Sequence, residues 1–155
     1  MLIFLLFYIL VIPLCVLLHE IGHGIGVVST SKSHAYVYLG NSNKENKENF
    51  RLGRLHFHLH WSYVGYASWE GTLKSRQRAT ALAGGPIMSL LVAILCGLIA
   101  ISVPQGELPS FFWWTAIFNF SQFFVTIIPI TYPTWMGAYK GHPSDGLQLI
   151  RLLRS

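Results

Sequence analysis

Apolar residues fall into three long runs, at about 2–28, 80–103 and 111–130. Each run reaches the ~20 residues that a helix needs to cross a ~30 Å hydrocarbon layer. A long polar stretch, 29–79, separates the first two runs, and the short 104–110 connection separates the last two. Within 29–79 the pattern changes period. Ala-Tyr-Val-Tyr-Leu at 35–39 and Arg-Leu-His-Phe-His-Leu-His-Trp at 54–61 alternate as strands do, and the polar 41–49 segment between them predicts a hairpin. The aromatic, Gly-punctuated 63–69 segment predicts a further strand. Beyond the third run, 142–153 reads as a turn followed by a short amphipathic helix. The expected fold is mostly α. It is a single polytopic membrane domain over 1–155, with three transmembrane helices, a small β-hairpin or sheet in the first loop, and a short C-terminal amphipathic helix.

Composition agrees. The chain is 52% hydrophobic and 11% charged, with mean hydropathy +0.47, whereas a soluble domain carries about 25% charged residues. The formal net charge is +5, but in so apolar a chain basic residues report orientation and not nucleic acid. Lys32, Lys44, Lys47, Arg51, Arg54, Lys74, Arg76 and Arg78 lie between the first two runs. Lys140, Arg151 and Arg154 follow the third, and the 104–110 connection has no basic residue. The positive-inside rule then places the 29–79 loop and the C-terminus in the cytoplasm and the N-terminus outside a cell membrane. The first run has no basic n-region, so it reads as a retained helix and not a cleaved signal. Cys15 and Cys96 sit in apolar runs without metal-binding neighbours and read as buried free thiols.

Polar residues inside the first run change this picture most. His19, Glu20 and His23 form H-E-x-x-H. Helical spacing returns His19 and His23 to one face, with Glu20 on the adjacent flank. In this arrangement the two imidazoles bind zinc and the carboxylate acts as general base on a metal-activated water. The alternative is that the three merely pair with one another or with water. Intramembrane ionisable residues are expensive and usually functional, which favours the metal site. Gly22, Gly24 and Gly26 leave room beside the ligands for another helix or an extended substrate. A catalytic zinc takes three protein ligands and keeps one open position. Asp145, His142, the loop histidines and Glu70 are the candidates for the third.

His19-Glu-Ile-Gly-His23, Ala83-Gly-Gly-Pro86 and Ser144-Asp-Gly146 follow one another in the order of the motifs of the site-2 protease family. The chain resembles these intramembrane zinc metalloproteases. The resemblance implies a three-helix core, one Zn2+ held by His19, His23 and Asp145, and Glu20 as the catalytic base. It also implies an endopeptidase that cuts in or near transmembrane segments of membrane proteins. The chain departs from the family's asparagines, having Ser89 after the Gly-Pro and Thr126 before Pro129. Asn119, one heptad before Thr126, is the substitute candidate, so Asn119 and Thr126 are both candidates for holding substrate or an oxyanion. The 129–145 connection is longer than the family's, and Asp145 must fold back. A second copy or a partner membrane protein would complete the shielding of so small a core.

His56, His58 and His60 alternate on one strand face. They are a rival metal site, or accessories to the first together with His142, although no carboxylate accompanies the triplet. That rival defines the alternative functions, a membrane metal-binding or metal-transfer module or a non-catalytic relative that binds membrane partners. Gly84-Gly85-Pro86 reads either as a helix start, with Pro at its first turn and glycines that allow close packing, or as a direct contact with substrate. Pro13 reads as a kink, and Trp61, Trp69, Trp113 and Trp114 as interfacial anchors. An extended substrate could add to a sheet edge offered by the 35–39 and 54–61 strands.

Overall fold

A computed structural model describes residues 2–104 and 106–154. The first apolar run is one continuous helical rod, made of α1 (Leu2–Leu6), a π-helical turn (Phe7–Val11) and α2 (Ile12–Thr30). The π turn ends two residues before Pro13, which has no N–H to give to the carbonyl four residues back. That carbonyl, Ile9 O, instead accepts the Trp61 indole N–H at 3.1 Å. Trp61 therefore repairs the helix that Pro13 interrupts.

Two long helices follow. α3 (Ser75–Ser102) starts earlier than the apolar run suggests, because Arg76 and Arg78 extend it past the apolar stretch, and Pro86 lies in its interior. Gly84-Gly85-Pro86 is therefore not a helix start. Its glycines serve contact, since a Cβ on Gly84 or Gly22 would fall on the other's backbone carbonyl. α4 (Glu107–Ile127) takes the place of the third run. Among the described residues two stretches, Ile3–Thr30 and Ser75–Ser102, are long and apolar enough to cross a membrane, with mean hydropathies of 2.4 and 2.3. α4 is not one of this pair, and Asn119, Ser121 and Gln122 interrupt its apolar run. α3 is central and packs extensively against both α2 and α4, while α4 meets the first helical rod more sparsely, at Asn119–Cys15 and where Phe4 and Phe7 pack on Phe111 and Trp114. A cleft opens between α2 and α4.

The sheet differs from the expected hairpin. Its four strands are β1 (Ala35–Leu39), β2 (Phe50–Leu52), β3 (Leu55–Leu59) and β4 (Gly65–Trp69), in the order β2-β3-β1-β4. β1 and β3 run parallel, with Val37 opposite Phe57. The physical reason is length. The 40–54 connection meets the dozen residues a parallel crossover needs, and it uses β2 to make the true hairpin with β3 across Gly53, where φ is +60°. β4 pairs antiparallel with β1. The expected edge strands, 35–39 and 54–61, thus cover each other's inner sides, and the free edges belong to β2 and β4. Ala35, Val37 and Leu39 are buried on the face towards α2. Gly24 meets Leu55, Val37 and Ala35 there, so the small residues of α2 admit the sheet and α3 and leave no room for substrate. Asn46 anchors the 41–49 segment by donating to the carbonyls of Leu39, Asn41 and His58.

Beyond α4 the chain doubles back. Thr131 bridges to Pro143, Tyr132 N–H donates to His142 O at 2.9 Å, and Ser144 N–H donates to Ile130 O at 2.9 Å. Between these arms lies a 3-10 segment, Thr134–Tyr139. The fold-back delivers α5 (Asp145–Leu153) to the helix ends.

Candidate metal centre

His19 and His23 lie one turn apart on α2, so their rings share a face, with Nε2 atoms 3.2 Å apart. Each ring is held through its other nitrogen. His23 Nδ1–H donates to Ala81 O at 2.8 Å, and His19 Nδ1 is 2.8 Å from Ser89 Oγ. Both partners come from α3. Gly85 makes that approach possible, because a Cβ there would collide with both imidazoles. With each Nδ1 so engaged, the Nε2 lone pairs point at a common space.

Asp145 closes that space. Its Oδ2 lies 3.5 Å from each Nε2. Ser144 sets its position by joining the end of α4 to the start of α5. The Ser144 hydroxyl donates to Ile128 O at 2.6 Å and accepts from Ile130 N at 3.2 Å and from Leu147 N at 3.1 Å, the last as the N-cap of α5. Gly146 permits the contact, since a Cβ would overlap Ile127 O. Burial disfavours the Asp145 carboxylate, but the adjacent His23 and His19 outweigh it and hold its pKa at about 2. His19, His23 and Asp145 together can hold a metal ion, and they form the only such group of three among the described residues.

Glu20 is buried beside this trio. Its side chain abuts Gly65, the first residue of β4, where a Cβ would strike Glu20 Cγ and Val16. A cavity of about 930 Å³ opens over the trio. Its walls are β4 with the residues before it, the α4 face carrying Phe118, Gln122 and Thr126, and the fold-back with Tyr132, Tyr139 and His142. The Gln122 amide oxygen is buried there without a partner.

The remaining candidates scatter. Thr126 lines the cavity, but its hydroxyl donates to its own helix, to Gln122 O and Phe123 O. Asn119 is fully buried and off the cavity, with Nδ2 donating to Cys15 Sγ at 3.0 Å and Thr115 O at 2.8 Å. His142 reaches the cavity wall. The strand histidines have separate partners. His56 bonds to His34 at 2.8 Å and to Glu48 at 2.7 Å, and His58 bonds to Asn46 O at 2.8 Å. His60 is exposed. A carboxylate does accompany His56, because 41–49 folds across the sheet, yet the three do not converge. Glu70 is likewise elsewhere, bonded by the Tyr36 hydroxyl.

Sequence reading missed the positioning role of Ser89, the contact of Gly65 with Glu20, and the place of Tyr139. Nothing local in the sequence marks the last two. The chain matches no protein-family model, no curated protein and no solved structure.

Proposed function

We propose that the chain is a zinc-dependent intramembrane endopeptidase of the site-2 protease type. One observation carries this reading, the mutual spacing of the three donors. Bonds of about 2.0–2.1 Å to a tetrahedral zinc put ligand atoms roughly 3.3 Å apart. The separations here are 3.2, 3.5 and 3.5 Å. The fixed Nδ1 partners and an open cavity beside the trio fit a catalytic site, in which one coordination position stays free.

His19, His23 and Asp145 would hold the metal. Zinc, when bound, polarises a carbonyl and makes water acidic enough to attack near neutral pH. Glu20 takes the proton from the attacking water on its carboxylate and passes it to the leaving amine nitrogen. A transmembrane helix keeps its peptide groups bonded internally, so the substrate must unwind before a carbonyl can reach the site. The unwound segment then lies along β4, whose free edge borders the cavity. On this reading α4 is a third span, the 29–79 loop and α5 share the cytoplasmic side, and the substrate is a transmembrane segment of another membrane protein.

Metal content of the detergent-purified chain tests the proposal. Wild type should carry about one zinc per chain, as should a His56/His58/His60 triple alanine variant, while His19→Ala and Asp145→Ala lose it. Glu20→Gln should keep zinc and cleave no membrane substrate. Zinc lost only in the triple variant would overturn the assignment in favour of a metal-handling protein. Cleavage surviving Glu20→Gln would remove Glu20 as the base.

A further inference from the structure

The free edge of β4 is not uniformly open. In an antiparallel ladder, alternate residues turn their N–H and C=O towards the partner strand, and those between turn theirs away. Gly40 N–H donates to Val64 O at 2.7 Å and Glu70 N–H to His34 O at 3.1 Å. With Leu39 opposite Gly65 and Tyr36 opposite Ser68, residues 64, 66, 68 and 70 bond to β1. Gly65, Ala67 and Trp69 therefore point their backbone groups away from the sheet.

Gly65 has both of its groups occupied. Its N–H donates to the Tyr139 hydroxyl oxygen at 2.9 Å, and that hydroxyl donates to Gly65 O at 3.3 Å. One phenol thus imitates one residue of a neighbouring strand, at the edge position that touches Glu20. Burial, with Glu20 nearby, pushes the Tyr139 pKa up to about 12, so it keeps its proton and donates. Tyr139 ends the 3-10 segment Thr134–Tyr139, between Gly137 and Gly141, whose φ values are +56° and +76°. These two glycines give the segment pivots that other residues disfavour.

We propose that Tyr139 is a latch on the peptide-docking edge: it fills the Gly65 position in the free protein, and an extended substrate backbone must displace it to reach Glu20. This rests on the reading above that the cavity receives an unwound peptide. Binding then proceeds from Ala67 and Trp69, whose outward backbone groups have no partner among the described residues, towards Gly65 as the latch leaves. The latch selects for segments that unwind readily, because displacement costs hydrogen bonds before the scissile carbonyl is seated.

The test uses the full chain carrying Glu20→Gln, so that bound peptide persists. The probe is a fluorescent synthetic apolar helix interrupted by Gly-Pro. Tyr139→Phe keeps the ring and removes the hydroxyl, and should tighten binding by about 3- to 10-fold, the range for one net hydrogen bond. Ala67→Pro removes an outward N–H without removing a bond to β1, and should abolish binding with or without Tyr139→Phe. Amide exchange at Ala67 and Trp69 should slow when peptide is bound, and zinc content reports folding of each variant. Unchanged or weaker binding in Tyr139→Phe, no binding to any variant, or no protection at Ala67 would overturn the latch. A latch effect without cleavage by the Glu20-containing chain would instead refute the protease reading and leave the latch standing.

Discussion

Ser89 shows how much a single hydroxyl can decide. His23 is oriented by a backbone carbonyl, Ala81 O, which no substitution removes, whereas His19 depends on the Ser89 side chain. Ser89→Ala leaves the His19 Nδ1–H without a partner in a buried setting and frees the ring to rotate. Outer partners of this kind are worth about 10- to 100-fold in metal affinity. Competition against a chromogenic chelator should show a loss of that size with unchanged helix content. Undiminished affinity would mean that packing against Gly85 alone orients the ring. His19, Glu20 and His23 are legible in the sequence because one helix carries them at fixed spacing. Ser89 is not, since a serine in an apolar run gives no sign that a histidine seventy residues away has turned towards it.

At the scale of elements, the site depends on two close approaches that glycine makes possible, α3 against α2 at Gly85 and α5 against the end of α4 at Gly146. The second can be tested without touching a ligand. Gly146→Ala puts a methyl on Ile127 O, so α5 must shift, and overpacking of this kind costs about 1–3 kcal/mol. Asp145 moves with α5. Zinc content should fall towards that of Asp145→Ala, while Gly97→Ala, whose added methyl meets open space inside α3, should retain zinc and be at least as stable as wild type. If Gly146→Ala binds zinc normally, Asp145 is positioned by Ser144 alone. The existence of these elements could be read from hydrophobic period, but not their pairing. Alternation in 35–39 and 54–61 suits parallel and antiparallel neighbours alike, and Phe50-Arg51-Leu52 is too short to announce the strand that decides between them. The fold-back of 129–145 was legible only as a requirement. Its means, the Ser144 hydroxyl joining Ile128, Ile130 and Leu147, is a tertiary arrangement that no local pattern encodes.

For the whole molecule the question is which parts share a side of the bilayer. Positive residues crowd 32–78 and 140–154, and the site joins the sheet to α5, so the proposed function needs both on one side with α4 crossing between. The proposed function makes α4 the third crossing, although Asn119, Ser121 and Gln122 interrupt its apolar run. Two of these have uses inside the protein, Asn119 bonding Cys15 on α2 and Gln122 facing the cavity. Polar residues turned towards another helix or a cavity are compatible with crossing a bilayer. Single reporter cysteines can decide, since Cys15 and Cys96 are buried and should stay silent. With a membrane-impermeant thiol reagent on oriented vesicles, Glu45→Cys and Arg154→Cys should label from the same face and Glu107→Cys from the other. Labelling of Glu107→Cys from the face that labels Glu45→Cys would mean that an odd number of crossings does not separate them. α3 would then not cross, just as labelling of Arg154→Cys from the face that labels Glu107→Cys would mean that α4 does not. In either case the three-helix core, with the cleft between α2 and α4 as a route for a transmembrane substrate, would have to be abandoned.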